Sequence, residues 1–308
     1  MIRYELKKII SIKTILCLVI INALFLTLFW IQNRGVEQAQ STGVLRSIYD
    51  EIGGEITEEK AEQIEKLKKK KDETIEKERM VEQEYKEGKI EIDEYMRYRD
   101  DYHYMKNRSE AIDVVYERYQ TNRKQGAWMI FDRYYEQLFQ PERNQWGLIL
   151  SVFLIIALLV CCETQEFSFV INVTRKGKRG VWQEKLKTIM MFSVILTVLY
   201  ALEECAVVTM FSSFHYLEAP VQSISCLADV QFQLNIGQWY IITLGLRILN
   251  TILFSVLGCF ILLQIRNKKV GILVMALFIF VPMILAEVIQ WDVCNVISKW
   301  ITVYSLFV

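Results

Sequence analysis

Residues 14–32 read Thr-Ile-Leu-Cys-Leu-Val-Ile-Ile-Asn-Ala-Leu-Phe-Leu-Thr-Leu-Phe-Trp-Ile-Gln, 19 residues without a charge. At ~1.5 Å per residue, a helix of that length can cross a hydrocarbon core of about 30 Å. Arg3, Lys7, Lys8 and Lys13 precede it. A signal peptide is the competing reading. The run exceeds the usual core of ~7–15 residues, and no small-x-small cleavage site follows at Trp30–Arg34. The run therefore reads as an uncleaved span. Residues 2–10 read as a short amphipathic helix along the inner membrane surface.

Outward from this run, charge and apolarity separate along the chain. The 308 residues carry 36 basic and 36 acidic side chains, but residues 33–145 hold 47 of those 72 (21 basic, 26 acidic). That segregation argues against a single soluble globule and describes a membrane protein with one large hydrophilic insert. Four more apolar runs follow: Trp146–Cys162, Thr188–Phe211, Trp239–Ile265 and Val270–Ile289. Trp146 and Trp239 stand at the ends of their runs, where aromatic rings favour the interface. The stretch Trp300–Val308 is too short to span. It reads as the start of a sixth span or as a tail that re-enters without crossing. Pro282 is expected to kink the fifth run, and Glu287 to sit at the interface.

Orientation follows from the basic residues. The N-terminal four, then Arg175, Lys176, Lys178, Arg179, Lys185 and Lys187, then Arg266, Lys268 and Lys269, fall on one side if each run crosses once. The positive-inside rule makes that side cytoplasmic. Residues 212–238 contain Glu218 and Asp229 and no Lys or Arg. That segment and the insert are expected outside. The chain thus reads as all-α and polytopic in three parts. These are a head and first span at 1–32, an extracytoplasmic helical insert at 33–145, and the remaining spans at 146–308.

Motif searches narrow the chemistry. His103 and His215 are the only histidines, and neither HExxH nor CxxC occurs, which argues against a zinc enzyme. No GxxxxGK[ST] loop, GxSxG elbow or dinucleotide glycine fingerprint is present. The chain is not expected to be an enzyme or to hold a cofactor, and no nucleic-acid partner is expected. Cys17, Cys161, Cys162, Cys205 and Cys259 lie in apolar runs and read as small buried hydrophobes. Cys226 and Cys294 lie between runs, where a disulfide or two free thiols are both open.

Within the insert, residues 57–86 lack Pro and Gly and are dense in Glu, Lys and Gln. Thr57 is the expected N-cap, and Glu87-Gly88-Lys89 the breaker. A second helix is expected from Asp93 to Tyr119, making an antiparallel hairpin. Its seam has 3-4 spacing: Tyr95, Tyr98, Tyr102, Met105, Ser109, Ile112, Tyr116 and Tyr119. The stripe reads as a packing seam or as an aromatic grip for a ligand. The first helix offers only Ala61, Ile64, Leu67, Ile75 and Val81, and its Lys68–Lys71 run reads as a solvated face. That poor stripe is expected to leave some of the seam free for another chain or a substrate. Asn107-Arg108-Ser109 matches a glycosylation sequon.

Residues 163–187 begin acidic at Glu163 and Glu166, continue through Phe167, Phe169, Val170 and Val173, turn at Thr174 to Arg179 around Gly177, and reach Lys185. This pattern resembles the transmembrane permease subunits of type-2 ATP-binding-cassette transporters, in the Gram-positive bacterial form. In that family an acidic residue follows the second span, then an amphipathic helix, a Thr-x-x-Gly-Arg-like turn, and a Lys opening the third span. Glu163, Glu166, Thr174, Gly177, Lys178, Arg179 and Lys185 occupy those places. The basic head and the large insert after the first span match as well. The family's usual six spans exceed the five read here.

The resemblance implies a bacterial cell membrane, a cytoplasmic N-terminus, and a coupling segment docking on a separate ATPase subunit. A second permease subunit, identical or not, and membrane lipid are the other implied partners. Phe167, Phe169, Val170 and Val173 would supply apolar contacts. Arg175, Lys176, Lys178 and Arg179 would meet the partner or lipid headgroups. Peptides or lipophilic compounds are the implied cargo.

Charges inside apolar runs are costly and face a partner or a cavity. Glu203 and Glu204 lie about 24 Å from the inner end of the third run, and Arg247 about 12 Å from the outer end of the fourth, at ~1.5 Å per residue. These three read either as an ion pair locking two spans or as a substrate or proton path. Two further functions stay open: a membrane-anchored sensor or assembly protein whose hairpin binds a partner, and an ion-driven carrier using Glu203, Glu204 and Arg247.

Overall fold

A computed structural model describes residues 11–38, 40–139, 142–161, 177–211, 215–265, 267, 269–277 and 281. The amphipathic head, Glu163, Glu166, Phe167, Phe169, Val170, Val173, Thr174, Arg175 and Lys176 lie outside the described residues, as do Pro282, Glu287, Cys294 and the C-terminal stretch. The helices are α1 (Ile12–Gln38), α2 (Gln40–Ile52), α3 (Glu58–Lys86), α4 (Ile92–Gln125), α5 (Arg133–Phe139), α6 (Glu142–Cys161), α7 (Gly177–Phe211) and α8 (Ile236–Gln264). Among the described residues there is no strand, only isolated antiparallel bridges at Gly54–Met129 and Pro220–Asn235.

Four helical stretches are long and apolar enough to cross a membrane: Ile12–Val36, Arg133–Val160, Gly180–Phe211 and Ile236–Leu262. The fifth run is only partly described; its residues 270–277 are helical. The chain forms two compact units, one of residues 1–33, 137–212 and 240–308, the other of residues 34–136 and 213–239.

The first unit is built from the apolar helices. Leu148, Ile149, Val152, Ile155, Ile156 and Leu159 of α6 pack with Ile189, Leu196 and Tyr200 of α7, Cys259 and Leu262 of α8, and Met275. Helix α1 instead exposes Ile15, Leu16, Val19, Ile20 and Leu24. Cys17 is exposed on it too, so the expectation of a buried cysteine fails there. An all-round apolar helix need not bury every face in protein when hydrocarbon is the solvent. Where α1 does touch α6, the approach is close. A Cβ placed on Gly147 would lie 2.8 Å from Cβ and Cγ of Phe25.

The second unit is a helical hairpin with a third helix laid against it. Thr57 caps α3, accepting the Lys60 N–H at 3.4 Å, with Glu58 and Glu59 in the first turn. The turn at Gly88 has φ 69° and returns the chain as α4. Helix α4 runs past Tyr119 to Gln125 and stops at Gly126, whose φ of 67° suits the left-handed cap. The seam spacing gives out before the helix does; Arg123 and Lys124 in the last turn and the glycine after them are the actual stop.

The Lys68–Lys71 run is not a uniformly solvated face. Lys68 and Lys71 both donate to Oδ1 of Asp113 on α4 at 2.6 Å, and Lys71 is 5% exposed. Residues three apart share a helix face, so these two turn to the partner helix while Lys69 and Lys70 stay outside. Burial raises the Asp113 carboxyl, but its two lysine bonds outweigh that and hold it below the usual range.

The weak apolar stripe of α3 is made good by α2, a helix with no counterpart in the sequence reading. Leu45, Ile48, Tyr49 and Ile52 join Ile64, Met105, Ile112, Val115, Tyr119 and Met129 in one core. Gly54 then reverses the chain at φ 104° and bonds Met129 in both directions, at 2.7 and 2.9 Å.

Candidate functional site

Helix α7 is the hub of the polar contacts in the first unit. Ser193 Oγ lies 2.6 Å from Ser255 Oγ of α8, and Tyr200 OH lies 3.0 Å from Ser151 Oγ of α6. Cys205 Sγ lies 3.1 Å from Tyr240 OH of α8. Between these rungs sit the two carboxylates singled out from the sequence.

Glu204 is fully buried. Arg247 donates to it twice, Nη1 to Oε2 at 2.6 Å and Nη2 to Oε1 at 2.8 Å. Asn144 Nδ2 of α6 adds a third bond to Oε1 at 2.7 Å. A bidentate guanidinium is the geometry that best repays the desolvation of both charges. The cluster ties α6, α7 and α8 at one level. Its carboxylate accepts three bonds from two other helices, so the contact ties these helices together.

Glu203 turns elsewhere. Asn22 Nδ2 of α1 reaches its two oxygens at 2.8 and 3.0 Å, and the carboxylate is half-buried. It accepts two bonds from one nitrogen, where Glu204 accepts three from three. An amide inside an apolar run seeks a polar partner on a neighbouring helix. Asn22, in the middle of the first apolar run, and Asn144, just before the second, are the members that sequence reasoning missed. Their signal was an isolated Asn in or beside hydrocarbon-length helices.

Of the coupling residues, Gly177, Lys178 and Arg179 open α7 itself rather than forming a turn before it. Lys185, two turns on, is buried at 3% exposure. The seam residues are spent on packing. Tyr102, Met105, Ile112 and Tyr119 are buried, and Tyr116 packs against the same core. Tyr98 donates to the Thr74 carbonyl of α3. Tyr95 stacks on Tyr85 at 4.3 Å and 8°.

The second unit holds an ion pair that the sequence did not suggest. Arg118 of α4 grips Asp132 through two bonds of 2.6 Å, and both side chains are largely buried. The pair reaches into residues 221–227, which form two short 3-10 turns. Arg118 Nη2 donates to the Ser223 carbonyl at 2.6 Å, and the Ser225 N–H donates to Asp132 Oδ2 at 2.7 Å. The Trp128 N–H donates to Ser223 Oγ at 2.8 Å.

Burial alone would raise the Asp132 carboxyl. The Arg118 bonds and charge, with the Ser225 bonds, override it and hold the group below the ordinary carboxylate range. Tyr49 is pushed up to about 12 by burial, against the pull of Arg118. Cys226 is likewise pushed up to about 12 by burial and by the carboxylates of Glu136 and Asp132. It is a poor nucleophile at neutral pH. No group of three His, Cys, Asp or Glu side chains among the described residues could hold a metal ion. No protein family, curated protein or solved structure matches the chain.

Proposed function

We propose that the chain is the transmembrane permease subunit of an ATP-binding-cassette transporter, exporting peptides or lipophilic compounds and energised by a separate ATPase subunit. The observation that carries the reading is the continuity of α7. It runs unbroken for 35 residues from Gly177 to Phe211. Its first turn holds Lys178 and Arg179, the end of the coupling segment, and its far part holds the Glu203 and Glu204 contacts. A displacement at the basic end travels along one rigid element of about 50 Å. The bonds from Asn144 and Arg247 would carry it to α6 and α8, and that from Asn22 to α1. The positive-inside bias supports a cytoplasmic location for the basic end.

The test is a pull-down of the tagged chain from native membranes in gentle detergent with nucleotide present. It compares the unaltered sequence with charge reversal at Arg175, Lys176, Lys178 and Arg179. Recovery of an ATPase that is lost on reversal is the expected result. Recovery that ignores the reversal moves the coupling surface elsewhere. No ATPase in either sample overturns the reading. A sensor role resting on the tyrosine stripe has less support, because those rings are occupied in packing.

A further inference from the structure

A cleft of about 680 Å³ lies wholly within the second unit, between the end of α4 and residues 218–235. That volume falls in the range of ~300–1,000 Å³ typical of ligand sites. We propose that this cleft binds a cationic peptide segment, with Glu218 and Asp229 meeting its Lys or Arg side chains and Gln231 and Gln233 meeting its backbone.

The lining mixes polar and apolar residues, and its charge is of one sign. It includes the two carboxylates and four glutamines and no basic residue. Glu218 and Asp229 are exposed, and neither has an ion pair among the described residues. Along α3 and α4 acidic and basic residues are interspersed. In residues 212–238 both carboxylates occur without a single Lys or Arg nearby in sequence. Two uncompensated charges in a concave surface focus a negative potential on whatever enters.

The walls are fixed in advance. The Pro220–Asn235 bridge closes the loop, with the Val221 N–H on the Leu234 carbonyl and the Ile236 N–H on the Ala219 carbonyl, both at 2.9 Å. Gln222 Nε2 donates to the carbonyls of Val230 and Phe232 at 2.8 and 2.9 Å. Gln125 Nε2 donates to the Ala228 carbonyl at 3.2 Å. The Arg118–Asp132 pair pins the opposite side of the same loop through Ser223 and Ser225. The backbone is thus held by these bonds, while the side chains of Glu218, Asp229, Gln231 and Gln233 are left exposed. Preorganisation of this kind lowers the entropy loss of binding.

Chemistry favours a peptide over a bare ion. No third His, Cys, Asp or Glu joins Glu218 and Asp229 among the described residues. Carboxamides donate and accept at once and match peptide groups. Phe232, 58% exposed and stacked on Trp239 at 6.3 Å, follows Gln231 in the loop and offers an apolar or cation–π contact. This assignment does not depend on whether the chain couples to an ATPase.

The test is fluorescence polarisation of a labelled Lys-Gly-Lys-Gly-Lys peptide with the full chain in neutral detergent. The paired variant Glu218→Gln/Asp229→Asn is expected to weaken binding at least tenfold with an unchanged melting curve. The pair Asp100→Asn/Asp101→Asn removes the same charge from the exposed face of α4 and is expected to change binding less than twofold. Equal loss in both pairs, or none in the first, overturns the site. The pair Gln231→Ala/Gln233→Ala is expected to weaken the peptide and leave spermine binding unchanged. If spermine competes as strongly as the peptide, the backbone contacts are absent and the peptide assignment is overturned.

Discussion

Glu203 and Glu204 are adjacent in sequence and bind different helices: Glu203 holds Asn22 of α1, and Glu204 holds Arg247 of α8 with Asn144 of α6. Successive side chains on a helix diverge by about 100°. A Glu-Glu pair therefore addresses two sides of α7 at one depth, and a single turn joins four helices.

Removing one partner of the buried pair should be far worse than removing both. Arg247→Met leaves Glu204 buried with only Asn144, a loss of about 3–5 kcal/mol. Glu204→Leu/Arg247→Met together should recover most of it. Thermal melts of the unaltered chain, the single variant and the double variant in one detergent check this. A double variant as unstable as Arg247→Met would show that the pair does more than hold helices together.

Close packing of α1 on α6 rests on Gly147. A Cβ there meets the Phe25 ring and its Cβ at 2.8 Å, atoms that cannot swing away. At Gly258 the contact is the Met275 thioether, the end of a flexible arm. Gly147→Ala is expected to cost about 1–3 kcal/mol, and Gly258→Ala less than about 0.5 kcal/mol. Melting temperatures of the two variants decide it, and an equal shift would contradict the argument.

In the hairpin, Lys71 and Lys69 should behave oppositely despite being two residues apart. Lys71→Met loses the Asp113 contact from a buried site, on the order of 1 kcal/mol after discounting for the exposure of Asp113. Lys69→Met should be neutral, since Lys69 stands in solvent. Ile112→Ala, in the same core, should cost about 2–5 kcal/mol. Rates of limited proteolysis within residues 58–125 report all three.

The Arg118–Asp132 contact predicts an acid limit for the second unit. Asp132 has a depressed value in the folded chain, so its stabilisation is fully present above the unfolded carboxylate value of about 3.9. It is lost as pH falls further, through the folded value. Asp132→Asn should lower stability at pH 7, and the gap to the unaltered chain should close below about pH 4. Trp128 fluorescence during unfolding follows this, because its N–H is bonded to Ser223. A gap independent of pH would assign the loss to packing instead.

Much of the architecture could be read from one-dimensional patterns. Apolar runs of hydrocarbon length marked the four spanning-length helices, and Thr57 and Gly88 marked the ends of α3. These are local signals: periodicity, length and capping act over a few residues. Helix α2 escaped because its apolar residues are few and acquire meaning only against Ile64 and Ile112. The Lys68–Lys71 run showed its charge in the sequence, but only the position of Asp113 on α4 decides which two of its members are buried.

The site divides the same way. Sequence alone marked Glu203, Glu204 and Arg247, because any charge in an apolar run is conspicuous. It could not choose which glutamate Arg247 takes, nor find Asn22 and Asn144, since neutral amides stand out less. Nor could it join Arg118, Asp132 and Ser225, which lie on three separate segments. Composition and period marked the long apolar helices and the hairpin; tertiary structure decided which polar groups meet, because a hydrogen bond depends on ångström distances between residues that the chain places up to 181 positions apart.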